Sequence, residues 1–235
     1  MRVALCYRGH FYRETKNLQE SFRGDGNSYF LNFANHRENL IDCYEDVDIF
    51  FHTYYPRNIS NDMSPGDLLE KLKHLTKPKN YKIDTDDNKN IRYSILEVNK
   101  LFNKTDYDFV INTRFDLHFK KKITEFEIDY NKFNFLWKEY NKRCPRISKT
   151  HITYRCSDLM WAFNSKYTDV FSESYGEMYD KMFGRKNPKR DGHTILKCMN
   201  DLMNNDEYVN IISERDYLSG MQIQNPYVDI NRNIK

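Results

Sequence analysis

Tyr107-Asp108-Phe109-Val110-Ile111-Asn112-Thr113-Arg114-Phe115-Asp116-Leu117-His118-Phe119 decides the fold class of this 235-residue chain. Its first half is a short apolar run, the pattern of a central strand buried on both faces. Its second half alternates polar and apolar residues. Alternation puts Arg114, Asp116 and His118 on one face at the strand's C-terminal end. In open α/β sheets, ligands bind in crevices outside that end.

Upstream, Val3-Ala4-Leu5-Cys6-Tyr7 reads as a buried strand that delivers the loop Arg8-Gly9-His10. Phe30, Phe33, Ala34, Leu40, Ile41 and Tyr44 recur at helical spacing, and Val47 to Tyr54 is a second buried strand. Strand, helix, strand opens a parallel arrangement. Ser64-Pro65 caps a helix carrying Leu68, Leu69, Leu72 and Leu75. Thr76 to Lys89, rich in Lys and Asp, reads as a surface loop; its acidic cluster lacks the glycine and the final glutamate of a calcium loop. Ile91, Ile95, Val98 and Phe102 mark another amphipathic helix.

Downstream, Phe133 to Trp137 and Leu159 to Phe163 read as strands. Phe171, Tyr175, Met178, Tyr179, Met182 and Phe183 form a helical core stripe. A last helix carries Ile195, Leu196, Met199, Leu202 and Met203 and opens at Arg190-Asp191-Gly192-His193. The polar tail from Asn225 is expected to wrap the surface or fray. The expected architecture is α/β: a mostly parallel central sheet flanked by helices, in one domain over residues 1–235.

Composition narrows the function. With 37 basic and 34 acidic residues the charges nearly cancel at +3, which argues against a dedicated nucleic-acid binder. Lys120 to Lys122 reads as a solvated strand end. Aromatic residues at 15% suffice for a core and for an aromatic-lined cleft. Five cysteines, an odd number without a Cys-x-x-Cys pair, fit reduced thiols in a cytoplasmic protein. Arg8 interrupts the first apolar run before a signal core is complete, and no stretch approaches the ~20 apolar residues of a membrane span.

Phosphate-loop and dinucleotide signatures are absent. The loop after the first strand nevertheless combines Tyr7, Arg8, Gly9, His10 and Arg13: amides, cations and an aromatic face, the groups that a base and a diphosphate need. A surface turn with solvated arginines is the plainer reading. His52-Thr53-Tyr54-Tyr55 ends the second strand, so His52 and Tyr54 either face the same cleft or pack structurally. The cluster around Asp116 must be paired internally, solvated or bound to a charged ligand.

Tyr107 to Leu117, the Arg8-Gly9-His10 loop and Asp48-Ile49-Phe50-Phe51-His52-Thr53-Tyr54 together resemble GT-A-type glycosyltransferases, in the branch found in large DNA viruses and bacterial polysaccharide clusters. Phe163-Asn164-Ser165 and the Asp191 helix are similar to the acceptor-side half. The resemblance implies a nucleotide-sugar half at residues 1–120, an acceptor half at 121–224 and a tail at 225–235. It further implies transfer of a hexose or pentose from a UDP- or GDP-sugar to a hydroxyl of a glycan or glycoprotein. Substrate-binding residues would be Tyr7, Arg8, Gly9, His10, Arg13, His52, Tyr54, Arg114, Asp116 and His193, and Arg114 would also serve catalysis. In that fold an Asp-x-Asp motif holds a divalent metal. Here Asp116 fits its last position and Arg114 stands in its first, so Mn or Mg becomes dispensable, or Asp116 and His118 hold the ion together. Asp191, with Asp158 second, would be the base that deprotonates the acceptor, although Asp191 also suits a helix N-cap. Two alternatives stay open: a sulfotransferase-like nucleotide-dependent enzyme, and a non-catalytic glycan- or protein-binding module on the same fold. Oligomeric state is not legible in the sequence.

Overall fold

A computed structural model describes residues 1–12, 28–56, 64–85, 91–137, 139–140, 159–176, 199, 203, 207–213, 217–218 and 226–230. The strands are β1 (Arg2–Arg8), β2 (Asp46–Tyr54), β3 (Asn80–Asp84), β4 (Phe109–Arg114), β5 (Leu117–Phe119), β6 (Phe133–Phe135), β7 (Glu139–Tyr140), β8 (Met160–Asn164), β9 (Val209–Ile211), β10 (Tyr217–Leu218) and β11 (Val228–Ile230). Among the described residues the α-helices of at least two turns are α1 (Ser28–His36), α2 (Pro65–Thr76), α3 (Ile91–Asn99) and α4 (Thr168–Tyr175).

Seven strands form one sheet in the order β3-β2-β1-β4-β8-β6-β9. The chain steps outward from β1 to β2 to β3, all parallel, then returns across β1 to lay β4 parallel on its other side. Right-handed crossovers put α1 and α2 on one face during the outward steps and α3 on the opposite face after the reversal. The two core clusters agree. Leu5, Tyr7 and Phe51 pack with Leu68, Leu69 and Leu72 of α2 and with Phe30 and Phe33 of α1. Ala4, Cys6 and Phe50 pack with Ile95 and Val98 of α3 and Phe171 and Tyr175 of α4. Beyond β4 the sheet turns mixed: β8 is antiparallel to both β4 and β6, and β9 runs parallel to β6.

Helix α2 begins as its sequence dictates. The Ser64 hydroxyl accepts from the Asp67 amide at 3.1 Å, the Asp67 carboxylate accepts from the Ser64 amide at 3.2 Å, and Pro65 opens the helix. It ends at Lys77, which adopts φ 44.

Three expectations change. Asn80–Asp84, inside the stretch read as a surface loop, is the edge strand β3. An edge strand pairs on one side only, so Lys82 and Asp84 are tolerated where a central strand would exclude them. The 107–119 stretch is not one strand, because β4 stops at Arg114 and Phe115-Asp116 turns the chain into β5. The polar tail also contains a strand: β11 pairs antiparallel with β5, with Val228 opposite Phe119 and Ile230 opposite Leu117. Polar-apolar alternation nevertheless persists across the turn. Phe115, Leu117 and Phe119 are buried while Arg114, Asp116 and His118 are half-buried.

Candidate functional site

The direction of strand addition reverses between β1 and β4, and Arg8 stands in register with Arg114 at that switch point. Past Arg8 the chain bends at Gly9, whose φ of 89 is strained for a side-chain-bearing residue, although a Cβ there would meet nothing within 4 Å. The Gly9 amide donates to the His52 carbonyl at 3.2 Å, tying the loop to β2. His10 lays its ring on Tyr54 at a centroid distance of 4.6 Å.

Arg114 and Asp116 form a two-pronged ion pair. Nε donates to Oδ1 at 2.7 Å and Nη2 donates to Oδ2. Both side chains keep about a fifth to a quarter of their surface exposed, at 21% and 24%. Phe115, between them, buries its ring against Tyr7 at 5.0 Å, and this contact anchors the turn.

Arg8 points inward. Its Nε donates to Asn112 Oδ1 at 2.8 Å and its guanidinium lies 4.4 Å from the centre of the Trp161 ring. Asn112 donates to Asn99 Oδ1 at 3.4 Å, and Asn99 donates to Ser172 Oγ at 3.1 Å. A polar line thus runs from β1 through β4 and α3 to α4, and it satisfies amides that burial would otherwise penalise.

His52 is buried beside that line. Nε2 lies 3.0 Å from Asp84 Oδ2 and Nδ1 lies 2.9 Å from Ser94 Oγ, which is itself 2.9 Å from Tyr54 Oη. Burial lowers the imidazole pKa, partly offset by Asp84. Burial would raise the Asp84 pKa, but hydrogen bonds from His52 and Tyr93 and the charge of Lys82 bring it below the usual value. The Asp-His-Ser order resembles a nucleophile relay, but Ser94 is buried and is not presented to a substrate.

On the opposite face His36 is also buried. Its Nε2–H donates to the Leu117 carbonyl, so Nδ1 accepts from the Tyr7 hydroxyl at 3.1 Å. Burial drives its pKa down to about 4, with the Leu117 carbonyl opposing. Asn35, one residue earlier, gives and takes a bond of 2.8 Å with the Phe119 backbone, so α1 grips β5 much as a neighbouring strand would.

The structure brings Arg8, Gly9, His10, His52, Tyr54, Arg114 and Asp116 to the carboxyl ends of three adjacent strands. Tyr7, Arg8, His52 and Tyr54 are buried within the layers and bonded to protein groups, so Arg8 is not the loop cation expected from the sequence but part of the interior. His118 sits beyond the turn with Nδ1 donating to Asn32 Oδ1 at 3.3 Å. Arg13, Asp158, Asp191 and His193 lie outside the described residues. Asp48 is at the other end of β2, where it accepts from Lys79 and Tyr107, each at 2.8 Å.

Sequence reasoning missed His36, Asp84, Ser94, Asn112 and Trp161. A signal existed for two of them: His36 falls in the apolar stripe between Phe33 and Leu40, and Ser94 interrupts the apolar face of α3 beside Ile95. Among the described residues no group of three or more His, Cys, Asp or Glu side chains could hold a metal ion. No helix among them is long and apolar enough to cross a membrane.

No family model and no curated protein matches the chain. Among solved structures it is similar to the apo-form glycosyltransferase GlyE of Streptococcus pneumoniae, with 9% identity and a TM-score of 0.42 over 88% of this chain and 44% of that one. It is also similar to 4-diphosphocytidyl-2C-methyl-D-erythritol synthase from Anaerococcus prevotii, with 11% identity and a TM-score of 0.48 over 90% and 88% of the two chains. The chain spans less than half the length of the glycosyltransferase.

Proposed function

We propose that the chain is a glycosyltransferase that moves a sugar from a nucleoside-diphosphate sugar to a hydroxyl of a glycan or glycoprotein. One observation carries this reading: the half-buried Arg114, held by Asp116, stands at the topological switch point beside the Gly9 turn, in register with the buried Arg8. A switch point opens a crevice at the carboxyl ends of the strands, and an anionic ligand is drawn to a guanidinium held there. The His10 ring, backed by the buried Tyr54, adds an aromatic surface to the same mouth.

Arg114 supplies positive charge toward the diphosphate through a planar fork held in place by Asp116. The residues present do not fit a divalent ion held by Asp116 and His118. Asp116 gives both oxygens to Arg114, and His118 Nδ1 is turned to Asn32. Asp191, with Asp158 second, is the proposed acceptor base.

A thermal-shift screen against UDP, GDP, their sugar conjugates and adenosine 3′,5′-bisphosphate tests the reading. A ligand at 100 times its Kd stabilises the native state by about 2.7 kcal/mol. A shift with the adenosine bisphosphate alone would replace this reading with sulfotransfer. Asp191→Asn is expected to abolish transfer and leave nucleotide affinity intact. Transfer that persists in chelator and falls in Arg114→Ala supports arginine in the metal's place; strict loss in chelator, restored by manganese, overturns that part.

A further inference from the structure

The His52 chain has a single direction. Asp84 is ionised and can only accept, so His52 carries its proton on Nε2. Nδ1 must then accept from the Ser94 hydroxyl, and the Ser94 oxygen, its own proton committed, accepts from the Tyr54 hydroxyl. Four residues from β3, β2 and α3 are thus ordered by one carboxylate at the sheet edge, and the order ends on the ring against which His10 rests.

No member of this hydrogen-bonded line is placed to react. Ser94 and His52 are buried, and the bonds they make are spent on one another and on Tyr54. What they fix is the place of the Tyr54 hydroxyl, at the far end of the buried ring on which His10 rests. The Gly9 amide reaches the His52 carbonyl as well, so the same residue braces both sides of the β1 loop. The titratable and charged groups around the imidazole are Asp84 and Lys82 on β3, Tyr93 and Glu97 on α3, Tyr54 on β2 and Arg8 in register on β1.

We propose that Ser94 and His52 are positioning residues for the nucleotide site: through hydrogen bonds of 2.9 Å to Tyr54 Oη and to His52 Nδ1, Ser94 holds the Tyr54–His10 pair in the attitude that receives the nucleotide. This rests on the nucleotide-sugar reading above.

Isothermal titration of UDP and of GDP into the full chain tests it, using wild type, Ser94→Ala, Tyr54→Phe and the double variant. Each single variant is expected to weaken binding of the preferred nucleotide roughly fivefold, the effect of one hydrogen bond. The double variant is expected to be no weaker than either single, because both break the same link. Melting temperatures read alongside separate positioning from folding. Ser94→Ala with a lowered melting temperature and wild-type affinity overturns the proposal, as does a double variant whose losses multiply. Wild type that binds neither nucleotide overturns the underlying reading and this inference with it; wild type that binds, with variants unchanged, overturns the inference alone.

Discussion

Two histidines lie buried near the same end of the sheet, one on each face, and their settings differ. His36 bonds a phenol and a backbone carbonyl, groups that suit a neutral imidazole. His52 bonds a carboxylate through one nitrogen and a hydroxyl through the other. On the α1 face the ring acts as a peg between the helix, β1 and the strand after the Asp116 turn. On the α3 face it is a link in a directed line of hydrogen bonds that runs from Asp84 to Tyr54. The same residue type therefore ties a helix to two strands on one face and orders a line of hydrogen bonds on the other.

The largest effect expected from this contrast is on stability against pH. The His36 pKa is about 4 in the folded chain against about 6.5 unfolded, so between those values the unfolded chain binds more protons. Its contribution is whole above about pH 6.5, falls as pH drops, and is lost near pH 4, a change of about 3 kcal/mol. Denaturant midpoints for His36→Gln should lose most of that slope between pH 7 and 5. A variant that kept the slope would move its origin away from the α1 face.

Tyr7→Phe sharpens the comparison. It removes the donor to His36 Nδ1 and leaves a buried acceptor unmet, which costs about 1–2 kcal/mol. UDP or GDP affinity should hold, in contrast to Tyr54→Phe. If both phenylalanine variants weakened the nucleotide equally, the two faces would share one role. Smallest is Gly9→Ala, where a positive φ costs about 1 kcal/mol or a little more, read as a lowered melting temperature. A neutral outcome would mean that the loop can bend another way.

The sequence reading fared best where apolar pattern and local chemistry agreed. Val3 to Tyr7, Val47 to Tyr54 and the Ser64-Pro65 cap all announce their structure, because burial on both faces and capping are local demands. Asn80–Asp84 was hidden because an edge strand needs only one partner, and its lysine and aspartate imitate a loop. That error concealed the partner of His52, since Asp84 lay in the misread segment. The Arg114 and Asp116 pairing was legible from alternation, and it survived the turn because Phe115 and Leu117 stay buried on either side of Asp116. His36 escaped notice because a histidine in an apolar stripe reveals nothing of the carbonyl it will meet on β5.

The clasp of β11 on β5 bears on the order in which the molecule takes shape. Tyr227 offers its carbonyl to the Lys120 amide at 2.9 Å, rests its ring on Phe126 at 4.9 Å and bonds the Ile212 carbonyl at 3.2 Å, so this late stretch holds three distant places at once. During synthesis the strands β1 to β4 and their helices emerge with neighbours already at hand. The turn bearing Asp116 does not. Its outer brace is made by residues that leave the ribosome long after it, and contacts so far apart along the chain are slow to close. The strand that follows the charged fork is thus braced by a stretch far along the chain from it, so that corner of the fold closes through a long-range contact while β1 and β2 close through a nearer one.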